Sequence, residues 1–349
     1  MVKYVDMAAW PQRGPDLIFP ADMAPMLAIV VHTEEEFDWN APFDRNANTV
    51  RHVPSLADFQ AVAERYDHAP HYSCGYPILA DNPAVQFFKP LFDEGRATLG
   101  AHLHPWVCPP FTEDVSNKNS FPGNLPESVE REKITTLTNT LTQTFDIQPK
   151  AYLAGRYGYG PNTSAILAAL GYEVDFSVAP GWDYRRYDGP NWRDHSAMAF
   201  FDAQHAGLLH VPHSGGHVGF LCKAGQRSLV LNEAGASAIM RLPSIAARLG
   251  AVRQARLTIE GMPLQTMIAL AQALYAGGVR LFTLSFHSPS AAVGYTPYSP
   301  TESARNALLI KMEGFLRFFA EDLGGIPAGP DRFYAVAASA RDTMLSQAA

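Results

Sequence analysis

The chain alternates short apolar runs with amphipathic stretches along almost its whole length. The run at 26–31 (MLAIVV) is continuously apolar, which is typical of a strand buried on both faces. Residues 56–63 then place apolar side chains at helical spacing, and similar pairs of segments follow along the chain. This order favours an α/β fold with parallel strands and helices outside them. About seven such units suit a (β/α) barrel better than a small open sheet, although the periodicity leaves barrel closure open.

Composition restricts the class of protein. Of the 349 residues, 47% are hydrophobic and 17% are charged, which allows a large core. The net charge of −7 argues against a general nucleic-acid binder, which needs a basic face. The sequence has no run of about 18 apolar residues and no basic segment followed by an apolar one at its start. We therefore expect no membrane span, no secretory signal and a cytoplasmic location, and we make no prediction of the oligomeric state.

The chain is expected to form one domain, because no linker, tandem repeat or low-complexity tract interrupts it. We predict an N-terminal extension at 1–25, a barrel at 26–325 and a C-terminal helix at 326–349 that packs on the barrel. The three cysteines are too few and too scattered for a disulfide framework or a CxxC metal site. They are expected to be reduced thiols.

Polar clusters follow several of the predicted strands, where parallel α/β folds place their active sites. The run at 26–31 is followed by HTEEEFDW, with four carboxylates between Glu34 and Asp38. A later strand leads into HLHPW, in which an extended backbone projects His102 and His104 to the same face. Two imidazoles and a carboxylate from elsewhere can form a metal site. The alternatives are a solvated acidic loop and a structural histidine pair.

Two further clusters come later in the chain. Arg156, in AGRYGYGP, can orient a carboxylate or bind an anion, or it can form a structural ion pair. The glycines there fit neither GxxxxGK[ST] nor GxGxxG, so no phosphate loop is predicted. His287, in SFHSPS, is a candidate general acid, with a hydrogen-bonded loop histidine as the alternative. Aromatic rings near the clusters suit sugars but also suit a core. The candidates for substrate contact are Trp39, Trp106, Tyr157 and Tyr159.

Taken in order, four segments resemble the polysaccharide deacetylase (NodB-like carbohydrate esterase) superfamily, and its WalW-like branch in particular. The segments are HTEEEFDW, GAHLHPW, AGRYGYGPNT and LFTLSFHSPSAAVGYTPY. The resemblance covers about residues 26–325, nearly the whole chain. It implies a distorted (β/α) barrel, a divalent metal cofactor, expected to be Zn²⁺, and a carbohydrate substrate.

The resemblance also implies a metal-binding set. Glu34, His102 and His104 match the metal ligands, although the two histidines stand two positions apart where the family spaces them four apart. His32 stands where the family has the aspartate that acts as general base. It could serve as a neutral base, ligate the metal, or mark a loss of activity.

The remaining roles follow from the later motifs. Arg156 matches the arginine that holds the base, and beside His32 its charge would lower the imidazole pKa. His287 matches the general acid, and Asp175 is the candidate residue to orient it. We therefore expect a carbohydrate N-deacetylase that hydrolyses a linear amide bond. The alternative is a catalytically inactive carbohydrate-binding or scaffold protein on the same fold.

Overall fold

Short strands alternate with helices along the chain, as the apolar pattern predicts. The structure is a computed structural model that describes residues 11–218 and 253–348. In these residues the strands are β1 (Arg13–Asp16), β2 (Met26–Thr33), β3 (His71–Cys74), β4 (Thr98–Leu103), β5 (Ala151–Ala154), β6 (Val174–Asp175), β7 (Phe200–Asp202), β8 (Leu209–His210), β9 (Gly215–Val218), β10 (Arg253–Arg256), β11 (Leu281–His287) and β12 (Ile326–Pro327).

Two of the helices, α3 (Asn82–Asp93) and α7 (Glu302–Arg317), begin with a side-chain cap. The Asp81 side chain accepts a hydrogen bond from the Ala84 N–H at 2.8 Å at the start of α3. Thr301 does the same for Ala304 at 3.2 Å at the start of α7. The helices are α1 (Leu56–Glu64), α2 (Tyr76–Ala80), α3 (Asn82–Asp93), α4 (Glu127–Phe145), α5 (Thr163–Ala169), α6 (Leu264–Ala276), α7 (Glu302–Arg317) and α8 (Pro330–Ala348).

Ten strands form one sheet in the order β1, β7, β8, β6, β5, β4, β3, β2, β11, with β12 beside the start of β2. Every neighbouring pair from β8 to β11 in this order is parallel. Strands β9 and β10 form a separate antiparallel pair. This confirms the α/β fold with a mostly parallel sheet and helices. Strand pairing does not close the sheet into a ring within the described residues, where a single bridge joins Thr258 to Ser285 beyond β11.

The central strand of the site is β2, in which every residue is buried. Its apolar sequence suits this position because β3 and β11 cover both of its edges and the hydrophobic core covers its faces. Strand β3 is also wholly buried, although its sequence HYSC is half polar. Its place in the sheet is therefore set by its neighbours and not by an apolar pattern of its own.

The parallel register brings the ends of several strands together. His287, the last residue of β11, pairs with His32 of β2, and His32 pairs in turn with Ser73 of β3. Strand β4 follows β3 in the sheet and carries His102 near its end. The polar residues that end these strands therefore share one edge of the sheet, as expected for a parallel α/β fold.

Two of the three cysteines, Cys74 and Cys108, are buried free thiols, and Cys222 lies outside the described residues. Residues 1–10 of the expected N-terminal extension also lie outside them. Across the ranges 11–218 and 253–348, none of the helices combines the length and apolarity needed to cross a bilayer.

Candidate metal centre

The ends of β2 and β4 bring together His32, Glu34 and His102. Each residue offers one ligand atom, and these three atoms all lie within 4.8 Å of one another. The Nε2 atom of His102 lies 3.3 Å from Oε2 of Glu34. All three side chains are buried. Buried ionisable groups at this spacing are costly unless they are paired or bind a metal.

Partners on the far side of each ring orient the two histidines of the HLH segment. The Nδ1 atom of His102 lies 2.9 Å from the Leu153 carbonyl oxygen, so Nδ1–H donates there and the lone pair falls on Nε2. The Nδ1 atom of His104 lies 2.9 Å from Oε1 of Glu35. Its Nε2 lies 3.6 Å from Oε2 of Glu34, although His104 is not part of the tighter group of three.

His32 faces the other ligand atoms without a partner for its own Nε2, which is buried and makes no hydrogen bond. Burial lowers the pKa of His32 well below its ordinary value, and the charge of His287 lowers it further. A neutral imidazole is the form that binds metals. The expectation that Arg156 lowers this pKa is wrong, because the arginine whose charge acts on His32 is Arg256.

Arg156 lies among loop residues away from His32. Its Nη1 donates to Oδ1 of Asn117 at 3.0 Å and also contacts the Ser120 hydroxyl. The guanidinium group lies 4.0 Å from the centre of the Phe121 ring. The backbone at Arg156 has φ of +54°, a left-handed conformation that is uncommon without glycine. This turn directs Arg156 to the loop, so a role in holding a base at position 32 does not fit the geometry.

His287 stands on the other side of His32, with the two ring centroids 4.6 Å apart. Its partner is Glu260, whose carboxylate lies 2.7 Å from Nδ1 of His287. Burial opposes the charged ring, but the carboxylates of Glu260 and Glu34 raise the pKa of His287 to about 9. The imidazolium is therefore the dominant form at neutral pH, and its Nε2–H is free of Glu260.

The expectation that Asp175 orients His287 is wrong. Asp175 accepts a hydrogen bond from Nδ1 of His210 at 2.9 Å, and His210 Nε2 lies 3.4 Å from Asp202. Both carboxylates and the ring between them are buried. Asp175 therefore belongs to a charged cluster in the core, because its strand β6 lies four strands from β2 in the sheet and five from β11.

The aromatic candidates for substrate contact divide into exposed and buried rings. Trp39 is partly exposed, and its ring centroid lies 4.7 Å from that of His287. Trp106 is 2% exposed and stacks on His104 with the centroids 4.2 Å apart. Tyr159 is fully buried in the core. Trp39 keeps its place at the site, whereas Trp106 supports His104 and Tyr159 cannot reach a substrate.

Two residues that sequence reasoning did not select lie beside His32. His213 is fully buried, and its ring centroid lies 5.4 Å from that of His32. Arg256 donates to the Tyr157 hydroxyl at 2.6 Å, and the Tyr157 ring lies 5.6 Å from the His32 ring. The segment 256–259 is predicted as a strand from its apolar residues, and Glu260 directly follows it, so a polar residue at a strand end was a usable signal for Glu260. Arg256 begins that segment and gave no such signal. His213 belongs to the loose histidine group of LLHVPHSGGHVGF, which the sequence indicates as a pocket wall with structural roles more than ligation.

A buried lysine fixes the loop that follows His104. The Nζ atom of Lys133 donates to the carbonyl oxygens of Pro105 at 3.0 Å, Cys108 at 2.6 Å and Pro110 at 2.6 Å. It also pairs with Glu113 at 3.1 Å, and the lysine side chain is fully buried. Helix α4 thus holds in place the loop that directly follows the histidine pair.

The residues present fit a divalent transition metal. His32 and His102 each direct a ring nitrogen to the same space, and Glu34 supplies an oxygen. Burial opposes the charged carboxylate, yet the His287 charge and the adjacent His102 ring lower the pKa of Glu34 to about 2. A carboxylate and two neutral imidazoles form a donor set typical of zinc or iron. The buried Nε2 of His32 makes no hydrogen bond within the described residues, so its lone pair is available to a metal.

The fold has counterparts among solved structures. The chain is similar to the allantoinase Puue, with 12% identity and a TM-score of 0.51 over 95% of this chain and 96% of that one. It is also similar to a GH57-type branching enzyme from Pyrococcus horikoshii, with 12% identity and a TM-score of 0.50 over 89% and 70% of the two chains. A candidate polysaccharide deacetylase from Mycobacterium smegmatis matches with 14% identity and a TM-score of 0.49 over 95% and 96%.

At these identities the likeness shows the fold alone. No family model matches the chain. No curated protein matches it either. The chemistry of the site therefore rests on the chain's own residues.

Proposed function

We propose that the protein is a metal-dependent hydrolase that removes an N-acyl group, such as acetyl, from a sugar or polysaccharide intermediate. One observation carries the proposal: ligand atoms of His32, Glu34 and His102 lie within 4.8 Å of one another, beside a histidine held in its protonated form. The four sequence segments that resemble the deacetylase superfamily provide most of these residues. The assignment to its WalW-like branch belongs to the same proposal.

His32, Glu34 and His102 would hold the metal, and His104 would stand next to them. A divalent metal in this place supplies a Lewis acid that lowers the pKa of water and stabilises negative charge on an oxygen. The residues around it are arranged for that task. The Leu153 carbonyl fixes the tautomer of His102, and Ser288 accepts a hydrogen bond from the Glu34 N–H at 3.1 Å, which holds the chain at the ligand.

The proton-transfer roles fall to two histidines that each have a carboxylate partner. His287, held by Glu260, donates its Nε2 proton to the nitrogen that leaves when the amide bond breaks. His104, held by Glu35 at 2.9 Å, presents Nε2 to accept the proton of the attacking water. Glu35 raises the pKa of His104 against the effect of burial, and this makes the ring a stronger base. His32, the expected base, becomes a ligand in this assignment.

The metal content of the full-length protein tests the proposal. Protein purified without a chelator or a histidine tag is analysed by elemental mass spectrometry, together with His32→Ala, His102→Ala and His104→Ala. We expect about one transition metal per chain, lost in His32→Ala and His102→Ala but kept in His104→Ala. The His217→Ala variant, at an exposed position on β9, is the matched control. Acetate release from N-acetylated sugars is measured on the same samples.

A non-catalytic carbohydrate-binding protein is the second candidate. The observation that favours it is His32 itself, which stands where the resemblance places an acidic base. Protein that binds no metal after reconstitution, yet retains a sugar unchanged, would support this second function and contradict the hydrolase.

A further inference from the structure

Among residues 11–218 and 253–348, no acidic side chain balances the charge of Arg256. Its guanidinium group lies between two rings, 4.6 Å from the centre of Tyr157 and 4.1 Å from that of Trp182. Nη1 donates to the Tyr157 hydroxyl at 2.6 Å, and Nη2 donates to the Tyr184 hydroxyl at 3.1 Å. The Nε atom is buried and has no partner. Within the described ranges, no carboxylate lies within salt-bridge distance of this side chain.

This arrangement is incomplete for an arginine. Phenol oxygens accept hydrogen bonds but cannot neutralise a full positive charge, and Arg256 is only partly exposed, with its Nε atom buried. A guanidinium group has five N–H donors in a planar fork, which matches the two oxygens of a carboxylate. The two hydrogen bonds to tyrosine hold the plane of Arg256 and leave other donors unused. The partner that is missing is an anion.

His213 is a second, independent sign of a missing ligand. Its side chain is fully buried, and neither Nδ1 nor Nε2 has a hydrogen-bond partner. Its ring centroid lies 5.1 Å from that of Tyr157 and 5.4 Å from that of His32. A buried imidazole with both nitrogens unsatisfied is rare unless something else binds there. His213 and Arg256 therefore flank the same ring, that of Tyr157. Among the described residues, His213 has no polar partner and Arg256 has no acidic one.

We propose that Arg256 and His213 form a carboxylate subsite beside the candidate metal centre, so that the N-acylated substrate is an acid. This rests on the proposed hydrolase function and gives its substrate class. The Tyr157 ring neighbours both groups: its centroid lies 4.6 Å from the Arg256 guanidinium and 5.6 Å from the His32 centroid. A sugar ring is of similar size to a phenol ring. The carboxylate thus belongs to the same sugar residue as the amide, or to an equally short N-acyl acid.

A single carboxylate fits the charge of the subsite better than a phosphate. Arg256 is the permanent cation at this place, and it balances one negative charge. A phosphate monoester carries close to two negative charges at neutral pH, so it would bring an excess of negative charge close to Glu34.

Binding of matched acidic and neutral probes tests the subsite. The full-length protein carrying His287→Ala is titrated with N-acetylglucosamine and with N-acetylglucosaminuronic acid, which differ at the carboxylate. N-acetylglutamate and N-acetylglucosamine 6-phosphate are the other probes. We expect at least one of the two carboxylates to bind tenfold or more tightly than the neutral sugar. Tighter binding of the uronate indicates a sugar acid, and tighter binding of N-acetylglutamate indicates an acylated amino acid.

Variants at two arginines of the same strand make the test specific. Arg256→Met, in the same background, should bind the acid and the neutral sugar equally, whereas Arg256→Lys should keep part of the preference. Arg253→Met, at an exposed position of β10, should leave the preference intact. Melting temperatures check that each variant is folded. If Arg256→Met does not fold, Arg256→Lys takes its place as the test of the preference for the acid.

Four outcomes would overturn the subsite: equal binding of acid and neutral sugar, a preference that survives Arg256→Met, tightest binding of the phosphate, or no binding of any probe. Failure of the hydrolase would be distinct from these. If no acylated probe is turned over by the wild-type protein but the Arg256-dependent preference is present, the subsite stands and the hydrolase does not. If the neutral sugar is turned over as fast as the acid, the hydrolase stands and the subsite does not.

Discussion

The Glu260 carboxylate accepts two hydrogen bonds from His287, one from ring Nδ1 at 2.7 Å and one from the backbone N–H at 3.1 Å. These bonds fix both the position of the residue and the orientation of its ring. They also leave Nε2 as the nitrogen that can exchange a proton with a substrate. Burial alone would lower the pKa of His287, but the charges of this carboxylate and of Glu34 raise it to about 9.

Replacing Glu260 with glutamine should move the alkaline limb of the pH–rate profile. His287 must be protonated to act as an acid, so activity is present below its pKa and is lost as the pH rises through about 9. Without the Glu260 charge, this pKa should fall toward the ordinary value of about 6.5. The kcat/KM of Glu260→Gln is measured from pH 5 to 10, with Glu302→Gln, at an exposed helix position, as the control. If the alkaline limb is unchanged in Glu260→Gln, the limb reports the titration of a group other than His287.

His287→Ala should abolish turnover without removing the metal. General acid catalysis contributes roughly 100-fold or more to a rate, and His287 is not one of the three residues whose ligand atoms lie together. Turnover and metal content are measured on the same preparation. Turnover equal to that of the wild type would refute the acid role of His287, and loss of the metal would make it a ligand instead.

Chelation should lower the melting temperature of the wild-type protein. A ligand that binds the folded state alone stabilises it, by about 2.7 kcal/mol when its concentration is a hundred times its Kd. The shift is measured by calorimetry before and after dialysis against a chelator, and the metal is then restored. His102→Ala should show no shift and His217→Ala the full shift. A shift of the same size in His102→Ala would place the bound metal elsewhere.

Lys133→Met should destabilise the fold more than substitution of a surface lysine. The change leaves three carbonyl oxygens and the Glu113 carboxylate without their buried cation. Breaking a buried pair in this way costs about 3 kcal/mol or more. Urea unfolding measures the free energy of unfolding, with Lys89→Met, an exposed position in α3, expected to change it by less than about 0.5 kcal/mol. Equal losses in the two variants would show that Lys133 does not support the loop.

The sequence predicted the elements that have a clear pattern of their own. The apolar run of β2 and the helix Glu127–Phe145 lie where their periodicity places them. Strand β3 was missed because HYSC has no apolar run, and only its burial between β2 and β4 makes it a strand. Strands β7 and β12 were missed because they span only three and two residues, too few for a periodic pattern.

The site shows the same division between local and long-range information. Glu34, His102 and His287 follow apolar strands, so the rule that polar strand ends meet at one edge was enough to select them. The prediction that Asp175 orients His287 was wrong because Asp175 and Glu260 are both carboxylates at predicted strands. Only the order of strands in the sheet shows that Glu260 is the partner. The prediction that Arg156 lies near His32 was wrong for a similar reason. The left-handed turn at Arg156 cannot be predicted from its residue type.

The pairing of His287 with His32 across β11 and β2 has a consequence for how such a protein can change. Neighbouring strands are separated by about 4.8 Å, and this spacing belongs to the backbone ladder and not to any loop. Insertions or deletions in the long connections around the site would change which molecule is admitted, while the interval between these two imidazoles would stay the same. Changes in the loops can therefore alter substrate specificity while the two histidines keep their relative positions.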